Sequence, residues 1–208
     1  MRTRAKGPLA ALGLRAHSGW AALVAVAGPA RAPVVIDRRR IVTADPALRG
    51  SKQPYHAAEG RGLKEAAEYL RRCTARSRQL ARQALRAAVN DLKKRGHAVV
   101  GCGVLLGSDR TLPPLAAILA AHPLIHTAEG QLFRQVLLRA GQRCKLPVTG
   151  VKERELLAQA AAKFRLPART LQARIAALGR DLGPPWTQDQ KLAALVAWLA
   201  LASARKPR

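Results

Sequence analysis

The chain has 208 residues, enough for one domain with a substantial core, and carries 37 Lys and Arg against 12 Asp and Glu, a formal net charge of +25. Such an excess favours a polyanionic partner, because each phosphate neutralised by a cation releases condensed counterions, whereas aromatics at 3% of the residues argue against a base-stacking platform for single strands. Three cysteines without C-x-x-C spacing, Cys73, Cys102 and Cys144, argue against a zinc ribbon or disulfide framework and for a reducing, cytoplasmic compartment, and no apolar run reaches the length of a membrane span.

In chain order, residues 1–8 read as a basic tail. The opening has the basic start and apolar run of a secretory signal, but Arg15 and His17 interrupt the run, and a cytoplasmic location is expected. Residues 9–28, with Val24 and Val26, and PVVIDRRRIVT at 33–43 read as a hairpin around the turn signal GPARAP. A long loop is expected over 44–62, where Pro46, Gly50, Pro54, Gly60 and Gly62 fall. From Leu63 to about Lys94 apolar residues recur at helical spacing, and Arg71, Arg78, Arg82, Arg86 and Lys93 recur on another face as a basic stripe suited to a phosphate backbone or to solvent. GHAVVGCGVLL reads as a buried strand, LPPLAAILAAH as a short helix, 127–144 as a second helix and LPVTGV as a further strand. Helices follow at about 152–164, 168–178 and 187–202, so that 9–203 reads as a single domain with a helical C-terminal part (152–203), closed by a basic tail at 204–208.

This mixed α/β order, with helical crossovers long enough for parallel pairing, resembles the ribonuclease H-like fold: a mixed sheet flanked by helices. Three stretches resemble the RuvC type of Holliday-junction resolvase. GLRAHSGWAALVAV at 13–26 is similar to its first strand, turn and second strand. AEGQLFRQVLLRAGQRCKLPVTGVKERELL at 128–157 is similar to its helix, Leu-Pro-Val strand and Lys-bearing segment, and DQKLAALVAWLAL at 189–201 to its Asp-initiated last helix.

The resemblance implies a cluster of carboxylates holding two divalent metals, which stabilise the attacking and leaving oxygens of a phosphodiester. Here Arg15 stands where the first-strand aspartate belongs, Cys102 and Gly103 stand near the expected glutamate with no acid before Asp109, and Leu192 replaces a second aspartate of the last helix. Asp189 alone matches. Two-metal hydrolysis is therefore not expected, and no resident cofactor or metal is assigned. The resemblance implies a degenerate nucleic-acid-binding protein, for DNA or RNA, with Arg71, Arg78, Arg82, Arg86 and Lys93 as backbone contacts and Arg15 in the vestigial site. Nothing in the sequence fixes its oligomeric state.

Two alternatives stand beside this. One is an enzyme with a site rebuilt from His17, His126, Glu129 and Asp189. The chain contains YHAAEG at 55–60 and IHTAEG at 125–130, and His122, His126 and Glu129 are spaced to share a helix face, as in a zinc site or an acid and base cluster. The plainer reading of IHTAEG is capping, with Thr127 as N-cap and Glu129 as a first-turn acid. The other alternative is a helix-turn-helix regulator over 155–179, reading DNA through Arg169, Gln172 and Arg174, with Arg165 where a turn glycine usually stands.

Overall fold

The computed structural model describes residues 7–108 and 111–204. The N-terminal tail up to Lys6, Asp109 and the C-terminal tail beyond Ala204 lie outside the described residues.

Strands β1 (Leu9–His17), β2 (Trp20–Ala27) and β3 (Val34–Val42) form an antiparallel meander. The turn between β1 and β2 closes at Gly19, which takes a positive φ of 79° that a side chain would resist. A short helix α1 (Pro54–Ala58) interrupts the segment expected to be a long loop. The long helix α2 (Leu63–Lys94) has the bounds its periodicity predicts, burying Leu70, Cys73, Ala81, Leu85, Ala88 and Leu92. It crosses to β4 (Ala98–Leu106), which pairs parallel with β1. Helices α3 (Leu115–Leu119) and α4 (His122–Arg143) lead to β5 (Val148–Lys152), parallel to β4, and α5 (Glu153–Phe164), α6 (Ala168–Ala177) and α7 (Gln188–Ser203) complete the chain. The sheet order is β3-β2-β1-β4-β5.

The apolar core lies on both faces of this sheet. On one face Leu12, Leu14, Leu23, Cys102 and Val104 meet Leu85 and Leu92 of α2 and Phe133 and Leu137 of α4. On the other, Ala11, Val24 and Val26 meet α7, with α5 and α6 outside it through Leu156, Ala160, Leu171 and Ile175. The α7 contact is close because β1 and β4 carry glycine there: a Cβ on Gly13 would come within 1.8 Å of the Ala193 carbonyl oxygen. Trp198, fully buried, stacks on Phe164 at 4.0 Å, and its indole N–H donates to the Ala30 carbonyl. The edge strand β3 presents Arg38, Arg39 and Arg40, charges that block further strand pairing.

Two expectations are corrected. Helix α4 begins at His122, not near Thr127, because Pro123 falls in its first turn, where a missing N–H costs no hydrogen bond. Thr127 is consequently inside the helix and donates its hydroxyl to the Pro123 carbonyl instead of capping. Glu129 is therefore not a first-turn acid.

Between α5 and α6, Arg165 adopts the left-handed conformation (φ 53°, ψ 45°). That is the backbone a turn glycine supplies, so Arg165→Gly is expected to raise unfolding stability by about 1 kcal/mol, read as a higher urea midpoint at unchanged slope.

Candidate functional site

Strand alternation decides what stands at the C-terminal end of β1. Leu12 and Leu14 enter the core beneath α2 and α4, so Gly13, Arg15 and His17 turn toward α7. Arg15 lies between two carboxylates. Its Nε and Nη2 donate to Glu153 Oε2 and Oε1 at 3.1 and 3.0 Å, and its Nη1 donates to Asp189 Oδ1. Burial works against the guanidinium charge, but the bonds and charges of Glu153 and Asp189 outweigh it, so the Arg15 pKa is raised above its ordinary value.

Asp189 is positioned by the start of α7. Thr187 and Gln190 form a reciprocal capping box. Arg38 of β3 pins the preceding loop by donating to the carbonyls of Leu182 and Gly183 at 2.9 and 3.1 Å, and the Trp186 indole donates to the Ile175 carbonyl. Glu153 opens α5 immediately after β5, whose strand end lies at the same edge of the sheet as that of β1. Sequence reasoning missed it. The signal was available: in parallel strands, residues that follow each strand converge at one edge.

His17 Nε2 lies 3.0 Å from Arg15 Nη1 and 3.1 Å from Asp189 Oδ1. The same Arg15 nitrogen therefore lies against both His17 Nε2 and the Asp189 oxygen. The His17 ring stacks on Trp20 at 4.2 Å, and Arg40 covers the indole at 3.8 Å. From α4, Arg134 approaches the end of β4 closely enough that a Cβ on Gly107 would lie 2.8 Å from its guanidinium. Burial lowers the Arg134 pKa, against the pull of Glu153. The strand ends therefore hold fixed cations interleaved with acids, and a metal ion entering between Glu153 and Asp189 would have to displace Arg15.

His126 and Glu129 belong to a second cluster. Among the described residues no hydrogen bond or ion pair joins it to His17 and Asp189. Glu129, 2% exposed, accepts from the backbone N–H of Tyr55 and His56 at 3.0 and 3.2 Å. It thus caps α1 across space, satisfying a buried charge with donors from the other copy of the repeated motif. His56 Nδ1 lies 3.1 Å from the same Glu129 oxygen, and the rings of His56, His122 and His126 meet edge to face.

The basic stripe of α2 is exposed along its length. Arg78 and Arg82 face Arg139 and Arg143 of α4 across a groove of about 900 Å³, with Gln79, Gln135 and Gln142 between them. Arg86, Arg143 and Lys145 line its continuation. No acid lines either part among the described residues. Arg71 lies outside this groove, 3.9 Å from Glu68. The α4 half, Arg139 and Arg143, had no signal beyond helical periodicity, because the packing of α2 on α4 is what brings it opposite the stripe. On the other face, Arg169, Gln172 and Arg174 of α6 are exposed, and Arg174 reaches the Arg31 carbonyl.

A five-stranded mixed sheet in this order, with helices on both faces and α7 against β1, is the ribonuclease H-like fold. Thermus thermophilus RuvC in complex with a Holliday junction substrate is similar in structure, with a TM-score of 0.51, 12% identity, and coverage of 91% of this chain and 90% of that one. A further Thermus thermophilus RuvC structure gives 0.49 at 12% identity over 91% of both chains, and a PPX-GPPA enzyme of Aquifex aeolicus gives 0.35 at 14% identity over 77% of this chain and 41% of that one. No family model matches the sequence, and no curated protein aligns with it. No helix among the described residues is long and apolar enough to cross a membrane.

Proposed function

We propose that residues 9–203 form one nucleic-acid-binding domain, a degenerate relative of RuvC-type nucleases that grips a polyanionic backbone in the α2–α4 groove and does not cleave by the two-metal route. The observation that carries this reading is Arg15 between Glu153 and Asp189. A two-metal site needs free carboxylate oxygens, and here a guanidinium on the sheet itself takes both oxygens of Glu153 and one of Asp189. The net charge of +25 and the acid-free groove supply the binding half. The rebuilt acid and base alternative is weakened by the same arginine, which sits on both His17 and Asp189. The three cysteines, all free thiols, fit a cytoplasmic setting.

The test is fluorescence anisotropy with a labelled four-way DNA junction, a DNA duplex and an RNA duplex, over a salt series. Binding to duplex DNA is expected to weaken linearly on a log–log plot with a slope of about −4.5 to −5.5, as five or six phosphate contacts dictate. Absence of binding at low salt, or a slope near zero, contradicts the proposal.

A further inference from the structure

We infer that His56, His122 and His126 form a binding site for one divalent transition-metal ion of the zinc class, which ties α1 to the start of α4. The inference is independent of the nucleic-acid reading. One nitrogen from each of the three rings lies within 4.8 Å of the others. A tetrahedral zinc ion with nitrogen ligands at about 2.0–2.1 Å holds them roughly 3.3 Å apart, so a small closure of the three rings suffices.

The orientation of the rings points the same way. His122 and His126, one helical turn apart on α4, turn their Nε2 atoms toward each other at 3.0 Å. Both Nε2 atoms are thereby aimed at the same point in space, the position an ion between them would take. The third ring is held from behind. Glu129 fixes the backbone of Tyr55 and His56, and its Oε1 stands 3.1 Å from His56 Nδ1, which is buried and has no aligned hydrogen-bond partner. With Nδ1 facing the carboxylate, Nε2 is the nitrogen available to an ion. A carboxylate behind a ligating imidazole is the arrangement that orients the ring and raises its basicity.

The ligand set selects the metal. Three neutral imidazoles suit zinc, cobalt and nickel, whereas magnesium and calcium require oxygen. His122 and His126 are exposed, so the ion enters from solvent and keeps water in its fourth position. The two copies of the repeated motif meet at this point: YHAAEG supplies one ligand, and IHTAEG supplies another together with the carboxylate behind the first.

The experiment uses the untagged full chain, stripped with chelator and titrated calorimetrically with Zn²⁺, with Co²⁺ absorbance as the geometric readout. One ion per chain and a tetrahedral cobalt spectrum are expected. His122→Ala and His126→Ala, both at exposed positions and checked for folding by circular dichroism, are each expected to weaken binding by about 100-fold or more, and Glu129→Gln by about 10–100-fold. His17→Ala is expected to leave it unchanged. Binding no tighter than millimolar, an octahedral cobalt spectrum, affinity that survives loss of His126, or affinity lost with His17 would each overturn the inference.

Discussion

Replacing Arg82, Arg139 and Arg143 together by alanine is expected to lower affinity for duplex and branched DNA by about 10²- to 10³-fold at about 0.1 M salt. Each neutralised phosphate contributes roughly 0.9 of a logarithmic unit per decade of salt, so removing three phosphate-binding cations should reduce the magnitude of the slope by about 3. The side chains are exposed and have no acidic partner in the groove, so the variant keeps its fold and its thermal midpoint. Replacing Arg169, Gln172 and Arg174 instead is expected to leave both affinity and slope nearly unchanged. An inverted result, with binding lost on the α6 variant and retained on the groove variant, would transfer recognition to the helix-turn-helix reading. Filter binding across a salt series decides between them.

Arg15→Asp has the second large effect. It removes the cation that bridges Glu153 and Asp189 and sets a third carboxylate beside them. Breaking a fully buried pair costs about 3–5 kcal/mol, and exposure of these side chains reduces that to about 2 kcal/mol, or about 4–8 °C in melting temperature for a chain of this size. The loss should be recovered by millimolar Mg²⁺ or Mn²⁺, since an ion that binds only the folded state stabilises it by mass action. The unaltered protein, with its guanidinium in place, should show no such response. Differential scanning calorimetry with and without the ion measures both arms. A variant that melts lower and ignores divalent ions would mean that the acids do not converge as the ion pairs indicate.

The elements whose signals are local are legible in the sequence. The apolar spacing from Leu63 to Lys94 and the short β-branched runs specify their elements without help from distant residues, and their order is enough to resemble the right fold. The start of α4 is misplaced when Pro123 is read as a breaker, because it occupies a first-turn position. What cannot be read locally is which chemistry meets which. Asp189 and Arg15 are both visible, but Glu153 joins them only because β1, β4 and β5 run parallel and end at one edge. The echo of YHAAEG in IHTAEG resembles duplicated chemistry or duplicated capping. In the folded chain, Glu129 of one copy instead caps the helix that begins in the other, and three histidines close around the junction. The groove is tertiary in the same sense, since its basic halves lie on helices separated by a strand and a short helix.

The most direct test of a binding domain without two-metal chemistry is strand cleavage under conditions where binding is complete: an end-labelled four-way junction, saturated with protein in Mg²⁺ or Mn²⁺ and resolved on a denaturing gel. Bound junctions whose strands remain intact are expected. Metal-dependent nicks that disappear in Asp189→Ala would contradict this, showing that the acids around Arg15 still assemble a working two-metal site.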